Sequence, residues 1–97
     1  MTQKFMGMLG LAMRAGKLAL GEGKGADAVR DGKAALLLLA TDTARNTEKR
    51  FLNMTQFYQV PVLRPGDRAE LGAAIGKDAA VVLAVTDAGF AEQLQKL

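Results

Sequence analysis

A chain of 97 residues with 49% hydrophobic content is long enough for one compact domain with one core and leaves no room for a second. Lysine and arginine outnumber aspartate and glutamate 13 to 10, a formal charge of +3 that permits a nucleic-acid partner without demanding one. The absence of cysteine and histidine excludes disulfides, thiol nucleophiles, the usual general base and the commonest metal ligand, so catalysis is not expected.

Residues 1–4 carry no basic leader, and the longest apolar run, residues 34–40, is far shorter than a membrane span. A soluble, cytoplasmic protein with no membrane partner is expected. Phe5, Met8, Leu9 and Ala12 fall at helical spacing, with Met6 and Met13 widening the stripe, and predict a first helix that ends near Arg14 ahead of Gly16. Core packing is the ordinary role for those methionines. Residues 17–20 read as a short strand. A second helix follows from about Glu22 to Asp31 and stops at Gly32. Ala35 to Ala40 is uninterrupted by polar residues, which suits a central strand covered on both faces.

Thr43 to Asn46 are placed to cap a third helix through Phe51, Leu52 and Met54 to about Gln56. Residues 58–63 return as a strand, at an edge because Pro61 lacks an N–H. Asp67 with Glu70 three positions on is an acidic form of the capping box and opens a fourth helix that Gly76 closes. Residues 79–85 give a fourth buried strand, and Asp87 caps a last helix. The alternation predicts the α/β class, as a three-layer α/β/α sandwich around a mixed sheet of about four strands.

The chemistry concentrates in the glycine-rich turn from Gly21 to Asp27, at the start of the second helix. Unpaired first-turn N–H groups and the positive end of the helix dipole suit a phosphate or an acceptor-rich base edge. Gly21, Gly23 and Ala26 satisfy G-x-G-x-x-G/A, and Asp42 lies about twenty residues on, as in dinucleotide sites. That fold needs two mononucleotide halves, however, and its fingerprint does not begin with a helix. Lys24 and Arg45 suit a phosphate polymer at least as well, so no cofactor is expected.

Several segments recur in a fixed order: Leu9-Gly10-Leu11-Ala12 with Arg14-Ala15-Gly16-Lys17-Leu18, Gly21-Glu22, Ala28-Val29 with Gly32-Lys33-Ala34, Ala40 with Asp42, Asn46-Thr47 and Lys49, Val60-Pro61-Val62, and Leu71-Gly72 with Ala74-Ile75-Gly76-Lys77. In these the chain resembles the bacterial YlxQ-type branch of the kink-turn-binding ribosomal-protein superfamily, over nearly its whole length. The resemblance implies the sandwich above and a non-catalytic protein, expected as a monomer, bound to structured, kink-turn-like RNA in rRNA or an mRNA leader, or at the ribosome. The RNA surface it implies is the start of helix two, the loop after strand two and the loop before strand four. The residues are Lys17, Gly21, Glu22, Gly23, Lys24 and Asp27, then Arg45, Asn46 and Lys49, then Ile75, Gly76 and Lys77. RNA-binding relatives typically carry Gly-x-Asn-Glu with a Lys three residues after the Glu, where this chain has Gly23, Lys24 and Asp27. That difference implies either readout through shape and phosphates or a different preferred RNA. A protein-interaction module docking to a ribosomal, transcription or translation factor is the alternative, with a nucleotide binder behind it.

Overall fold

The computed structural model describes residues 1–97. The elements are α1 (Gln3–Arg14), β1 (Leu18–Leu20), α2 (Gly21–Arg30), β2 (Leu36–Leu39), α3 (Arg45–Tyr58), β3 (Val62–Leu63), α4 (Arg68–Ala74), β4 (Val82–Val85) and α5 (Ala88–Lys96). The strands pair in the order β1-β4-β2-β3. β4 is antiparallel to both neighbours, while β2 and β3 are parallel, so β1, β2 and β3 share one direction.

The period-two alternation of a strand sorts its side chains into two faces. Leu36, Leu38, Leu83 and Val85 pack with Phe5 and Leu9 of α1, Leu71 of α4, and Ala91 and Leu94 of α5. Leu37, Leu39, Val82 and Ala84 pack with Ala26, Ala28 and Val29 of α2 and Phe51 of α3. Two helices therefore cover one face and three the other, the expected three-layer sandwich. β2 and β4 are buried along their full length, as the unbroken run at 35–40 anticipated. Each fully buried Leu or Phe contributes about 1.5–3 kcal/mol, and the central strands supply Leu36, Leu37, Leu38, Leu39 and Leu83 while the helices supply Leu9, Phe51, Leu71 and Leu94.

Helix starts were partly legible. Asp67 and Glu70 form the full capping box: Asp67 Oδ1 accepts from the Glu70 N–H at 2.9 Å, and Glu70 Oε1 from the Asp67 N–H at 3.0 Å. Asp87 caps α5 through the Phe90 N–H, and Thr2 caps α1 through the Phe5 N–H.

The expected capping of α3 is overturned. Its cap residue is Ala44, without a side-chain bond, because the Thr43 hydroxyl donates to the Ala40 carbonyl and Asn46 lies inside the helix. The strand expected over residues 58–63 is also shorter. α3 continues to Tyr58, since Phe51, Thr55 and Tyr58 sustain its helical period, and Gln59 ends it in the left-handed region at φ 58°. Only Val62 and Leu63 pair with β2, at the sheet edge where Pro61 costs no ladder bond.

Candidate functional site

Strand direction gathers the site. The carboxyl ends of β1, β2 and β3 and the start of β4 meet at one end of the sheet, where Leu20 pairs Leu83 and Leu39 pairs Val82. The starts of α2, α3 and α4 and the α4–β4 loop therefore share that end.

Gly21 leads directly from β1 into α2 at φ 92°, a left-handed conformation that glycine adopts without the penalty of a Cβ. α2 has no side-chain cap, its cap position being Leu20. α3, starting beside it, has none either. The other three helices are each capped by a side chain: Thr2, Asp67 and Asp87. The two uncapped starts thus leave first-turn N–H groups without a side-chain acceptor, both at the same end of the sheet.

Direct contacts join the three segments. Thr47 of α3 donates its hydroxyl to Glu22 Oε1 of α2 at 3.2 Å, and Arg50 stands 3.9 Å from the same oxygen. Leu20 and Gly21 line a shallow, mostly apolar depression of about 340 Å³ with Ile75, Lys77, Ala79 and Val81. The β2–α3 loop is held from below by two arginines that the sequence reading did not single out. Arg64 Nη2 donates to the Ala40 carbonyl at 3.0 Å while its Nη1 pairs with Glu48 at 2.6 Å. Arg68 donates to Asp42 from its amide at 2.9 Å and from Nε at 3.2 Å, and its Nη2 reaches the Asp42 carbonyl at 2.7 Å. Their position flanking Pro65-Gly66 was the available signal.

The electrostatic result is lopsided. Glu22, Asp42 and Glu48 are engaged by Arg50, Arg68 and Arg64, and Asp67 by its cap; Asp78 is the one acid left free nearby. Lys24, Arg45, Lys49 and Lys77 have no acidic partner within 4 Å. Four free cations against one free acid make the local field positive.

Gly21, Glu22, Gly23 and Lys24 thus share one end of the sheet with Arg45, Asn46 and Lys49 and with Gly76 and Lys77, all exposed. Three expected residues fare differently. Lys17 sits at the opposite end of β1, its carbonyl accepting from the Thr86 N–H, and does not reach this surface. Ile75 is only 8% exposed, packed in the core at the end of α4, and forms part of the lining of the depression. Asp27 lies in the second turn of α2, with its carboxylate 3.5 Å from Arg30.

Asp42 also loses the role that the dinucleotide pattern would give it. Its carboxylate is bound to Arg68, and β4 runs antiparallel between β1 and β2, where a dinucleotide fold has those strands adjacent. Loss of hydration works against its charge, but the Arg68 amide and guanidinium outweigh this and hold the carboxyl below its usual range. Glu70 is likewise lowered, first by the Asp67 N–H and then by the Met1 ammonium at 3.2 Å. Both carboxyls hold a proton less tightly folded than unfolded, so their stabilisation is complete above the ordinary carboxylate range and disappears as pH falls through their lowered folded values. Thermal melts should therefore be level from neutral pH to about pH 5 and fall below it, and a D42N/E70Q double variant should show a flatter acid limb.

Residues 3–95 match the ribosomal protein L7Ae/L30e/S12e/Gadd45 family. The chain belongs to that family. Two relatives called RNA-binding protein YlxQ are similar over most of their length: that of Bacillus subtilis (strain 168) is 44% identical over 90 residues, covering 93% of this chain and 90% of the relative. The Enterococcus faecium protein is 38% identical over 95 residues, covering 98% and 91%. A solved structure of a Bacillus halodurans protein of unknown function superposes with a TM-score of 0.94 at 41% identity, covering 98% of this chain and 96% of that one. In this L7Ae-family chain the helix-two turn carries Gly23, Lys24 and Asp27.

Proposed function

We propose that this protein binds RNA, without catalysing a reaction on it, along the surface formed by the starts of α2 and α3 and the α4–β4 loop, and that its ligand is a kink-turn or similarly bent structured RNA. The observation that carries this is the pairing of two uncapped helix starts with four unpartnered cations on one surface. Donors without internal acceptors and cations without internal anions call for an external polyanion. The name shared by the two curated relatives agrees with this.

Lys77 lines the depression at Gly21, Lys24 stands exposed in the first turn of α2, and Arg45 and Lys49 continue the positive surface along α3, so phosphates on both limbs of a bend can be met at once. A Cβ on Gly23 would meet nothing within 4 Å, so no packing inside the protein requires a glycine there. Its bareness suits close approach by an RNA backbone. With Lys24 and Asp27 in the helix-two turn, discrimination rests on bend shape and phosphate positions. Absence of catalysis is supported by the lack of His and Cys and by the two displaced carboxyls. Both are shifted down and bound to structural donors, the reverse of a general acid.

A gel-shift titration should show tighter binding of a kink-turn RNA than of a straight duplex with matched length and composition. Equal weak binding to both, with the same salt dependence, would leave only non-specific attraction to charge.

A further inference from the structure

The outward face of α3 leads from this surface to an aromatic side chain that the fold does not use. Arg45, Lys49, Asn53 and Phe57 follow at four-residue intervals, one ridge of the helix, over about 18 Å. The first three line one shallow depression together with Glu48 and Leu52. Glu48, its only acid, is neutralised by Arg64 at 2.6 Å, while Arg45 and Lys49 are unpaired. Phe57 is 79% exposed, the most exposed large apolar side chain in the molecule, and is held edge-to-face against Tyr58 with ring centroids 5.0 Å apart. Its ring is steadied by a neighbour yet mostly in water.

We infer that this ridge is a second contact for the same RNA: a single-stranded segment leaving the bent helix runs along α3, with phosphates beside Arg45 and Lys49 and a base stacked on Phe57. The inference rests on the RNA reading of the α2–α3 surface and extends it to a class of substrate, bent RNA with an unpaired flank. Cations that track a backbone and an aromatic that takes any base are the combination used for sequence-tolerant single-strand binding. A protein partner would be expected to meet a broader apolar area, whereas the exposed apolar surface here is Phe57 with the edge of Tyr58, next to Asn53 and Gln56 in the helix.

The chain contains no tryptophan, so an F57W variant carries a unique fluorescent reporter that can still stack. The test compares a blunt kink-turn RNA with kink-turn RNAs bearing a single-stranded tail of about five nucleotides at the 5′ or 3′ end. F57W fluorescence should be quenched by at least one tailed RNA and not by the blunt one. F57A should bind that tailed RNA at least about fivefold more weakly than the unsubstituted protein, with blunt-RNA affinity and melting temperature unchanged. Unquenched F57W together with unaltered F57A binding would overturn the inference, leave the α2–α3 surface intact and turn attention to a protein at Phe57. Failure of the unsubstituted protein to bind either RNA would refute both readings.

Discussion

A K24A/R45A/K77A triple variant is expected to lose most of its salt-sensitive affinity for bent RNA while keeping its fold. None of the three side chains has an ion-pair partner, and all three are exposed, so their removal leaves no buried group stranded. If each neutralises one phosphate, the slope of log affinity against log salt becomes shallower by about 0.9 per residue, near 2.7 in all. The drop in affinity between about 50 and 200 mM salt then shrinks by roughly fortyfold relative to the unsubstituted protein. A K17A variant should leave the slope unaltered, because Lys17 lies at the far end of β1. Filter binding at several salt concentrations measures all of this. An unchanged slope in the triple variant would remove these cations from the interface.

Gly72→Ala should be strongly destabilising and should also weaken RNA binding. A Cβ at this position would lie 2.7 Å from both N and Cα of Ala79 and 2.8 Å from the Lys77 carbonyl, contacts with backbone that no rotamer can relieve. α4 can sit against the loop that follows it only because this residue is bare. Forcing them apart costs about 1–3 kcal/mol. For a domain of this size each kcal/mol lowers the melting temperature by about 4–8 °C. The displaced segment carries Lys77, so affinity should fall more than the fraction unfolded accounts for. Gly7→Ala is the control: its Cβ would meet nothing within 4 Å inside α1, so stability should rise by about 0.4–1 kcal/mol with binding unaltered. Calorimetry and binding on the same preparations separate the two effects. A Gly72→Ala protein as stable as the parent would show that α4 and its loop have slack.

How much of this was readable in advance depended on whether the signal was local. The leucine run of β2, the Asp67–Glu70 box and the Asp87 cap are written in adjacent residues, and each stands where expected. Pro61 marked an edge strand, and β3 is one. The end of α3 was missed by two residues. Phe57 was thereby left outside the helix, and its place on the Arg45 ridge went unseen.

The site was legible as three segments but not residue by residue. Lys17 was carried along with the motif around it, and only the strand direction shows that it leaves from the other end of the sheet. Ile75 and Lys77 are two positions apart, yet the core takes one and water the other. The arginine clamps on Asp42 and Ala40 span 26 and 24 residues of sequence, beyond any local pattern. The open start of α2 was legible in its glycine-rich turn, but that of α3 was hidden because Thr43 and Asn46 looked like adequate cap residues.

The most direct measurement of the proposed RNA surface is an amide chemical-shift map of the isotope-labelled protein titrated with a kink-turn RNA. The largest changes should fall on residues 21–24, 42–46 and 76–81, with residues 17 and 86–90 unmoved. Changes centred on α1 and α5, or none at the starts of α2 and α3, would contradict it.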